Sequence, residues 1–395
     1  MLAPVRTSGW PPRRLDAQPV AFLALSGWTR NKLHNYLLCN LTLTMSSICL
    51  AAGDIYVPIK IDENDIITGV LKLLANIRPQ WTRENITFKM LTDGITNKLV
   101  ACQHNVDSNN ESNIVLVRIY GNKTDLFIDR TAEIRNIKTL NVLGLAPQIY
   151  GVFENGLAYQ FYPGKTLSVD SVTSDKIWPL VATQMAKMHK VELGKDPFVW
   201  DKIEQFLSLI PEPFSTDRKQ ARFANSFGSI TKLRIEYERL KSHLTKTESP
   251  IVFAHNDLLL GNVVFNEHEG AIHFIDYEYA AYNYQAFDIA NHFNEFVGIT
   301  IEDIDYNKFP SKEIQQSWIK VYLKEYLNVS EPTEKEVCKT YTEVQQHLLL
   351  SHFLWGVWSL VQFEHSGIDF DFGRYAEIRL NRYFELKDDV FKQLS

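Results

Sequence analysis

The sequence predicts an α+β protein of two lobes, in which a β-rich N-lobe precedes a helical C-lobe. The chain has 395 residues, of which 45% are hydrophobic and 22% are charged, so it can form two sizeable cores. Strand patterns dominate in the first half of the chain, and helical periodicity dominates in the second half. We therefore assign an N-terminal extension to residues 1–53, the N-lobe to residues 54–159 and the C-lobe to residues 160–395.

The extension differs in composition from the rest of the chain. Residues 1–53 contain five basic residues and one acidic residue, and Leu33 to Gly53 is a stretch of 21 residues without charge. That length would span a bilayer, but several Asn, Thr and Ser side chains interrupt it. We interpret the extension as disordered and expect no stable membrane insertion, with a signal anchor or targeting segment as the alternative.

Charge and cysteine content exclude other classes of protein. A net charge of −6 argues against a broad nucleic-acid-binding surface, so no nucleic-acid partner is expected. The four cysteines are scattered and form no CxxC pair, which argues against a disulfide scaffold or a zinc site. A reducing, cytoplasmic location fits this cysteine usage.

Local patterns define the elements of the N-lobe. Apolar spacing predicts one helix at Asp65–Ile77, capped by Asp62 or Asn64, and a second at Asp129–Leu143, ended by Gly144. Runs of apolar and β-branched residues predict strands at Lys98–Cys102, Ile114–Tyr120, Gln148–Phe153 and Leu157–Phe161.

The C-lobe is predicted to be mainly helical. The helical segments are Trp178–Val191, Ile230–Leu244 and much of the chain from Gln285 onward, with short apolar strands at Ile251–Ala254 and Ile272–Ile275. Residues Val344 to Phe363 carry no charge but include several Gln and His residues, which is typical of a buried helix in a soluble domain.

Polar residues around the two short strands of the C-lobe point to phosphoryl transfer. Asp257 and Asn262 lie five residues apart after the first strand, and Asp276 ends the second. A hairpin-like return would bring the three side chains to one edge. Two oxygen ligands, Asn262 and Asp276, can hold Mg²⁺ beside substrate phosphates. Asp257 can then accept the proton of an attacking hydroxyl, as in kinase-type reactions.

The same segments resemble the choline/ethanolamine kinase family. The resemblance is carried by His255 to Asn262 (HNDLLLGN) and by Ile275 to Glu295 (IDYEYAAYNYQAFDIANHFNE), and it extends over residues 55–390. It implies a two-lobed protein-kinase-like fold. It also implies an ATP- and Mg²⁺-dependent kinase that phosphorylates ethanolamine, in the CDP-ethanolamine route to phosphatidylethanolamine. A choline kinase, or an enzyme that uses both amino alcohols, is the alternative.

Several segments resemble the ethanolamine kinases within the family more than the choline kinases. They are Thr92–Leu99 (TDGITNKL), Arg118–Thr124 (RIYGNKT), the Leu258-Leu259 pair and Asn291–Gly298 (NHFNEFVG). These segments favour ethanolamine as the small-molecule substrate. A homodimer is compatible with the sequence, which gives no direct signal of oligomeric state.

The resemblance implies a role for each candidate residue. Asp257 is the catalytic base, and Asn262 and Asp276 are the Mg²⁺ ligands. Arg118 clamps phosphate in place of the usual strand lysine, and Glu133 pairs with it. The remaining nucleotide contacts come from the hinge at Gln160 and from a loop over the ATP phosphates formed by Thr92, Asp93, Gly94, Ile95, Thr96, Asn97 and Lys98.

An acceptor pocket is implied by the same resemblance. Trp355 and Trp358 lie three residues apart, on one face of a helix, where aromatic rings can contact an ammonium group. Tyr375 and Tyr306 are further candidates, and Glu295 is the expected carboxylate. Without the resemblance, a Trp pair on an apolar helix would be read as ordinary core.

Two residues near the motif are expected to be structural. Asp288 should organise the catalytic loop by accepting backbone N–H groups, and His255 should support the loop without acting as the base.

Two more distant functions remain as alternatives. An aminoglycoside-type phosphotransferase shares the HxDxxxxN element, and a non-catalytic scaffold could use the N-terminal run at a membrane. The long block after Asp276 argues against the first. Retention of Asp257, Asn262 and Asp276 argues against the second.

Overall fold

The computed structural model describes residues 55–91, 97–105, 113–121, 128–192, 194 and 196–393. Its N-terminal part is built on a β-sheet and its C-terminal part is helical, which confirms the predicted α+β class. The expectations for residues 1–53 and for Thr92–Thr96 lie outside the described residues. The lobe boundary near residue 160 stays a prediction.

A six-stranded sheet forms the N-terminal region. Its strands, in spatial order, are β1, β5, β6, β4, β3 and β2; β1 runs parallel to β5, and the other neighbours are antiparallel. The strands are β1 Tyr56–Val57, β2 Ile86–Leu91, β3 Asn97–His104, β4 Ile114–Tyr120, β5 Ile149–Phe153 and β6 Gly156–Gln160. The sequence patterns gave bounds for β3 to β6, and a strand–turn–strand pattern with its turn signal at Thr92-Asp93-Gly94 predicted a strand where β2 lies; β1 was not predicted.

Strand β4 brings a charged side chain into the centre of this sheet. It is an apolar run broken by Arg118, which is 5% exposed. In the pairing of β4 with β6, Arg118 lies opposite Leu157, and Ile119 lies opposite Gly156. A Cβ atom on Gly156 would lie 2.1 Å from the backbone oxygen of Arg118, so only glycine allows β6 to approach β4 this closely.

Two helices lie between strands of this sheet in the sequence, one between β1 and β2 and one between β4 and β5. The first, α1, spans Ile66–Ile77, and neither of the predicted caps is used: its N-cap residue is Asp65, without a side-chain bond, and Asp62 accepts from the backbone of Asn64 instead. The Asp62 carboxylate is already satisfied within its own turn, which explains the difference. The second, α2, spans Arg130–Val142 and is capped by Asp129, which accepts from the N–H of Ala132 at 2.9 Å.

The C-terminal region contains nine described helices and five short strands. Strands β10, β9 and β7 form one small sheet, and β11 and β8 form another. The strands are β7 Lys165–Thr166, β8 Ile251–Ala254, β9 Val263–Asn266, β10 Ala271–Phe274 and β11 Ala281–Tyr284. The helices are α3 Val169–Val172, α4 Trp178–His189, α5 Val199–Leu209, α6 Asp217–Phe227, α7 Ile230–Leu244, α8 Gln285–Asn294, α9 Lys312–Tyr326, α10 Glu334–His365 and α11 Phe372–Gln393.

The long helix α10 contains the charge-free run that the sequence marked as a buried helix. Its C-terminal two-thirds is buried almost continuously from Gln346 to Gln362, and this confirms the prediction. The helix is buried on all sides because α8 and α11 both pack against it. Within the described part of the chain, no helix combines the length and the apolar character needed to cross a bilayer.

Three apolar clusters form the core. One fills the space between the six-stranded sheet and α1, and one fills the distal helical region. The third joins the two regions, since Leu157 of β6 and Leu140 of α2 pack in the same cluster as Met185 of α4 and Phe253 of β8. This shared core fixes the sheet relative to the strands that carry the candidate active site.

Gly356 of α10 provides a test of how tightly the two long helices pack. A Cβ atom there would lie 2.5 Å from Cγ of Leu380 on α11, and Leu380 is fully buried. We expect Gly356→Val to lower the free energy of unfolding by about 1–3 kcal/mol through overpacking. Thermal unfolding of the purified variant measures this loss.

The matched control is Gly367→Val, because nothing lies within 4 Å of a Cβ atom at Gly367. An unfolding temperature of Gly356→Val equal to that of Gly367→Val would show that α10 and α11 do not pack as the structure has them.

Candidate active site

Two short antiparallel pairs, β8 with β11 and β9 with β10, place the three motif residues together. Asp257 follows β8, Asn262 precedes β9, and Asp276 follows β10. The backbone N–H of Ile275 donates to the backbone oxygen of Asn262 at 3.0 Å. This bond joins the residue before β9 to the residue after β10. The chain therefore returns as the spacing predicted, and Asn262 and Asp276 lie at one edge.

The turn before the candidate base is fixed by a buried carboxylate. Asp288 of α8 accepts the backbone N–H groups of His255 at 3.0 Å and Asn256 at 2.8 Å, and His189 Nε2 donates to it at 2.8 Å. Burial alone would raise the pKa of Asp288, but the hydrogen bonds from His189 and the His255 backbone lower it below its ordinary value. Asp288 thus organises the loop, as the sequence analysis expected.

His255 also has a structural position. Its Nε2 lies 3.0 Å from the backbone oxygen of Ile275, and the ring is completely buried. Burial lowers the pKa of His255, so the imidazole is neutral and donates to that carbonyl. The bond joins the loop after β8 to the loop after β10.

The candidate base Asp257 has an unusually high proton affinity. Burial raises its pKa well above the ordinary value, and the negative charges of Asp276, Glu278 and Glu295 add to that rise. A carboxylate accepts a proton only when it is ionised, so its ability to act as a base is lost as the pH falls through this raised pKa. Carboxylates of the metal-ligand candidates and of the acceptor-pocket candidate Glu295 thus lie close enough to Asp257 to raise its pKa.

Oxygen atoms suited to a divalent cation surround this edge. The amide nitrogen of Asn262 donates to the backbone oxygen of Asp257 at 2.9 Å, so the remaining ligand atom of that side chain is Oδ1. Carboxylate oxygens of Glu133, Asp276 and Glu278 lie within 4.8 Å of one another. Carboxylate and amide oxygens are the donors that Mg²⁺ prefers, so these residues fit a magnesium ion.

A buried arginine, Arg118, and a partly buried one, Arg130, balance these carboxylates. Arg118 donates to Asp276 Oδ1 at 2.7 Å and also contacts Glu133. Arg130 contacts Glu133 at 3.0 Å and Glu278 at 3.1 Å. The structure therefore brings Arg118 and Glu133 together, and it places the guanidinium of Arg118 among carboxylates because an unpaired buried charge is costly.

The other nucleotide-site candidates are more dispersed. Asn97 donates to Glu278 Oε2 at 3.3 Å and so joins the carboxylate cluster, whereas Lys98 pairs with the partly exposed Glu63 at 3.0 Å. Gln160 ends β6, and its side-chain oxygen accepts the backbone N–H of Gln148 at 3.2 Å. The loop residues Thr92, Asp93, Gly94, Ile95 and Thr96 lie outside the described residues.

The two tryptophans of α10 form an aromatic corner. The ring centroids of Trp355 and Trp358 are 5.6 Å apart and the rings are nearly perpendicular, at 79°. Trp355 Nε1 donates to Asn291 Oδ1 at 2.8 Å, and Trp358 Nε1 donates to the hydroxyl of Tyr279 at 2.9 Å. Both rings are held in fixed orientations, because their only polar atoms are bonded.

Glu295 and Tyr375 meet at a buried arginine that sequence reasoning did not identify. Arg379 of α11 donates to Glu295 Oε1 at 3.0 Å and to the Tyr375 hydroxyl at 3.3 Å. Burial raises the pKa of Tyr375, and the charges of Glu295 and Asp257 add to that rise against the opposing effect of Arg379. Glu295 and Tyr375 therefore share one cation, and the charge of the candidate base acts on the Tyr375 hydroxyl.

Tyr306 lies at the outer side of the same group. The guanidinium of Arg382 lies 4.4 Å from the centroid of the Tyr306 ring. The ring of His352 packs edge-on against it, with 6.4 Å between the ring centroids. His352 is buried, and burial lowers its pKa well below the ordinary value, with the charges of Arg379 and Arg382 acting in the same direction. The imidazole is therefore neutral.

Sequence reasoning missed five site residues, which are Arg130, Glu278, Asn291, Ser351 and Arg379. Three of them carried a local signal. Glu278 lies two residues after Asp276, Arg130 lies three residues before Glu133 on one helix, and Arg379 lies four residues after Tyr375 on another. Asn291 and Ser351 gain their contacts from packing between separate elements.

Comparisons with known proteins agree with this geometry. The family model for choline/ethanolamine kinase matches residues 88–384. An ethanolamine kinase of Drosophila melanogaster is 42% identical over 84% of this chain and 79% of its own length. Ethanolamine kinase 1 of Mus musculus is 43% identical over 82% of this chain and 90% of its own.

Solved structures show the same fold. An ethanolamine kinase of Plasmodium vivax superposes with a TM-score of 0.71 at 26% identity, covering 93% of this chain and 97% of that one. The prediction of a two-lobed protein-kinase-like fold is thereby confirmed, and so is the prediction of a kinase. The chain belongs to the choline/ethanolamine kinase family.

Proposed function

We propose that this kinase transfers the γ-phosphoryl group of ATP to the hydroxyl group of ethanolamine, giving phosphoethanolamine and ADP. The observation that carries the proposal is the identity of 42–43% with two ethanolamine kinases over more than four-fifths of the chain. The product would enter the CDP-ethanolamine route to phosphatidylethanolamine.

The candidate site supplies groups for each part of the reaction. Asp257 accepts the hydroxyl proton as the oxygen attacks the γ-phosphorus, and the raised pKa strengthens it as a base. Asp276 and Glu278 of the carboxylate cluster would hold Mg²⁺, and Asn262 Oδ1 is the further ligand that we assign. The ion would neutralise charge on the phosphate oxygens. Arg118 orients Asp276 through their 2.7 Å contact.

The acceptor pocket presents both kinds of group that an amino alcohol requires. Glu295 uses Oε1 for Arg379, and within the described part of the chain Oε2 has no hydrogen-bond partner. It is therefore the acceptor that we assign to the ammonium N–H groups of ethanolamine. Trp355, Trp358 and Tyr375 would enclose the same group with their rings.

Choline is the second candidate acceptor, and the perpendicular pair of Trp355 and Trp358 is the observation that favours it. A quaternary ammonium donates no N–H, and it binds through the faces of aromatic rings. An enzyme that uses both amino alcohols would bind choline through the aromatic rings and ethanolamine through Glu295.

Three expectations from the sequence stay predictions. They are the cytoplasmic location, the compatibility with a homodimer and the lack of a nucleic-acid partner. None of them enters the argument for the reaction.

Replacement of the base should abolish chemistry. We expect Asp257→Asn to lower kcat by about 10²–10⁴-fold with the affinity for ATP nearly unchanged, because the carboxamide keeps the shape but takes up no proton. Steady-state kinetics with ethanolamine and ATP measure both quantities. Asp388→Asn, at an exposed carboxylate of α11, is the control. Retention of more than about a tenth of kcat by Asp257→Asn would refute the base assignment.

Loss of a metal ligand should change the magnesium dependence. Asp276→Ala removes a carboxylate from the candidate metal site, while Arg118 keeps its contact with Glu133. We expect the Mg²⁺ concentration for half-maximal rate to rise about tenfold or more, with a smaller change in KM for ethanolamine. A titration of rate against Mg²⁺ tests this, and an unchanged midpoint would exclude Asp276 as a ligand.

Substrate preference should depend on the carboxylate of the pocket. We expect the wild type to prefer ethanolamine over choline by about 1–3 kcal/mol in transition-state binding. Glu295→Gln should reduce kcat/KM for ethanolamine more than for choline, because it weakens a charge-assisted hydrogen bond that choline does not make.

Both substrates are measured in wild type, in Glu295→Gln and in the exposed control Glu302→Gln. Equal or better use of choline by the wild type would overturn the ethanolamine assignment and leave the kinase assignment intact.

A further inference from the structure

A buried arginine links the acceptor pocket to helix α10. Arg379 is 4% exposed, and its two terminal nitrogens point in different directions. Nη1 donates to Glu295 at 3.0 Å and to Tyr375 at 3.3 Å, and Nη2 donates to Ser351 Oγ at 2.9 Å. A lysine ammonium would reach one of these sites as a point charge, whereas the planar guanidinium holds both at a fixed angle.

The contact with Ser351 continues to the catalytic loop. Ser351 Oγ donates to Asn291 Oδ1 at 2.8 Å, and Asn291 Nδ2 donates to the backbone oxygen of Asn256 at 3.2 Å. Asn256 precedes the base Asp257 and adopts a left-handed φ of 67°. Three buried side chains on three helices thus form a continuous chain of hydrogen bonds that ends at the backbone oxygen of the loop residue Asn256.

The direction of this chain is set by the guanidinium. An arginine donates and never accepts, so Ser351 Oγ accepts from Arg379 and has one proton left to give. That proton goes to Asn291 Oδ1, which also accepts from Trp355 Nε1 at 2.8 Å. The oxygen of the Asn291 amide is therefore committed to helix α10, and its NH₂ group faces the Asn256 carbonyl.

We propose that Arg379 is a positioning residue, which fixes Glu295 and Tyr375 for the acceptor and, through Ser351 and Asn291, aligns the loop that carries the base. The proposal rests on the proposed function, because it requires that Glu295 binds the acceptor. It predicts that changes at Arg379 affect both acceptor binding and turnover, and that changes at Ser351 affect turnover more than binding.

The test compares four enzymes: the wild type, Arg379→Lys, Ser351→Ala and the double variant. Arg379→Lys keeps the charge beside Glu295 but loses the pair of terminal nitrogens that contact Glu295 and Ser351 together. We expect kcat/KM for ethanolamine to fall about tenfold to a hundredfold. Ser351→Ala leaves the contact between Arg379 and Glu295 intact, and we expect kcat to fall about threefold to tenfold with little change in KM. KM for ATP should change by less than about twofold in both.

The double variant separates a shared network from two independent defects. Since both residues act through one hydrogen-bond chain, we expect its kcat to be close to that of the more impaired single variant. Arg222→Lys is the matched control, because Arg222 pairs with Glu377 of the same helix α11 at the partly exposed surface. The unfolding temperature is measured for every variant.

Three results would overturn the proposal. They are a kcat/KM of Arg379→Lys within about twofold of wild type, equal losses for ATP and ethanolamine, or multiplicative effects in the double variant. If Arg379→Lys does not fold, Ser351→Ala alone tests the proposal. An unchanged kcat in Ser351→Ala then refutes the link between Arg379 and the loop that carries the base.

The proposed substrate is tested separately by the wild type. If the wild type phosphorylates choline and not ethanolamine, the substrate assignment fails, and the same variants are measured with choline. Loss of kcat in Ser351→Ala would then still support the positioning role.

Discussion

The geometry of the active site depends on the buried carboxylate of Asp288. It accepts the backbone N–H groups of His255 and Asn256, and His189 holds it from the other side. Asn256 has a left-handed φ of 67°, a conformation that costs about 1–3 kcal/mol for a residue other than glycine. The hydrogen bonds to Asp288 offset that cost. The candidate base Asp257 is therefore presented by a loop whose conformation depends on the buried pair of His189 on α4 and Asp288 on α8.

Charge around the base is arranged so that no carboxylate is left isolated. Burial and the charge of Asp276 raise the pKa of Glu278, while Arg118 and Arg130 act in the opposite direction. Without the two arginines, repulsion between the neighbouring carboxylates would raise their pKa values, and protons would bind to some of them. With them, the negative charge of the cluster is partly balanced, and the charges of Asp276 and Glu278 still raise the pKa of the base.

The local parts of the site could be predicted from the sequence, and the tertiary parts could not. Asp257 and Asn262 lie five residues apart on one loop, and only the two short strands β9 and β10 separate Asn262 from Asp276, so their spacing predicts a return of the chain to one edge. Arg379 lies 84 residues from Glu295, and their contact depends on how α11 packs against α10 and the end of α8. No periodicity encodes that packing. The cap of α1 was wrongly predicted for a local reason, since the Asp62 side chain bonds within its own turn.

The pairing of Glu295 with Arg379 determines how the proposed pocket would recognise an ammonium group. The two side chains together carry no net charge, so recognition depends on contacts at short range. The N–H groups of a primary ammonium can donate to Glu295 Oε2 in a charge-assisted hydrogen bond. A quaternary ammonium has no N–H, and the faces of Trp355 and Trp358 remain as its main attraction. The arginine therefore makes hydrogen-bond direction the property that distinguishes ethanolamine from choline, because the charge alone is common to both.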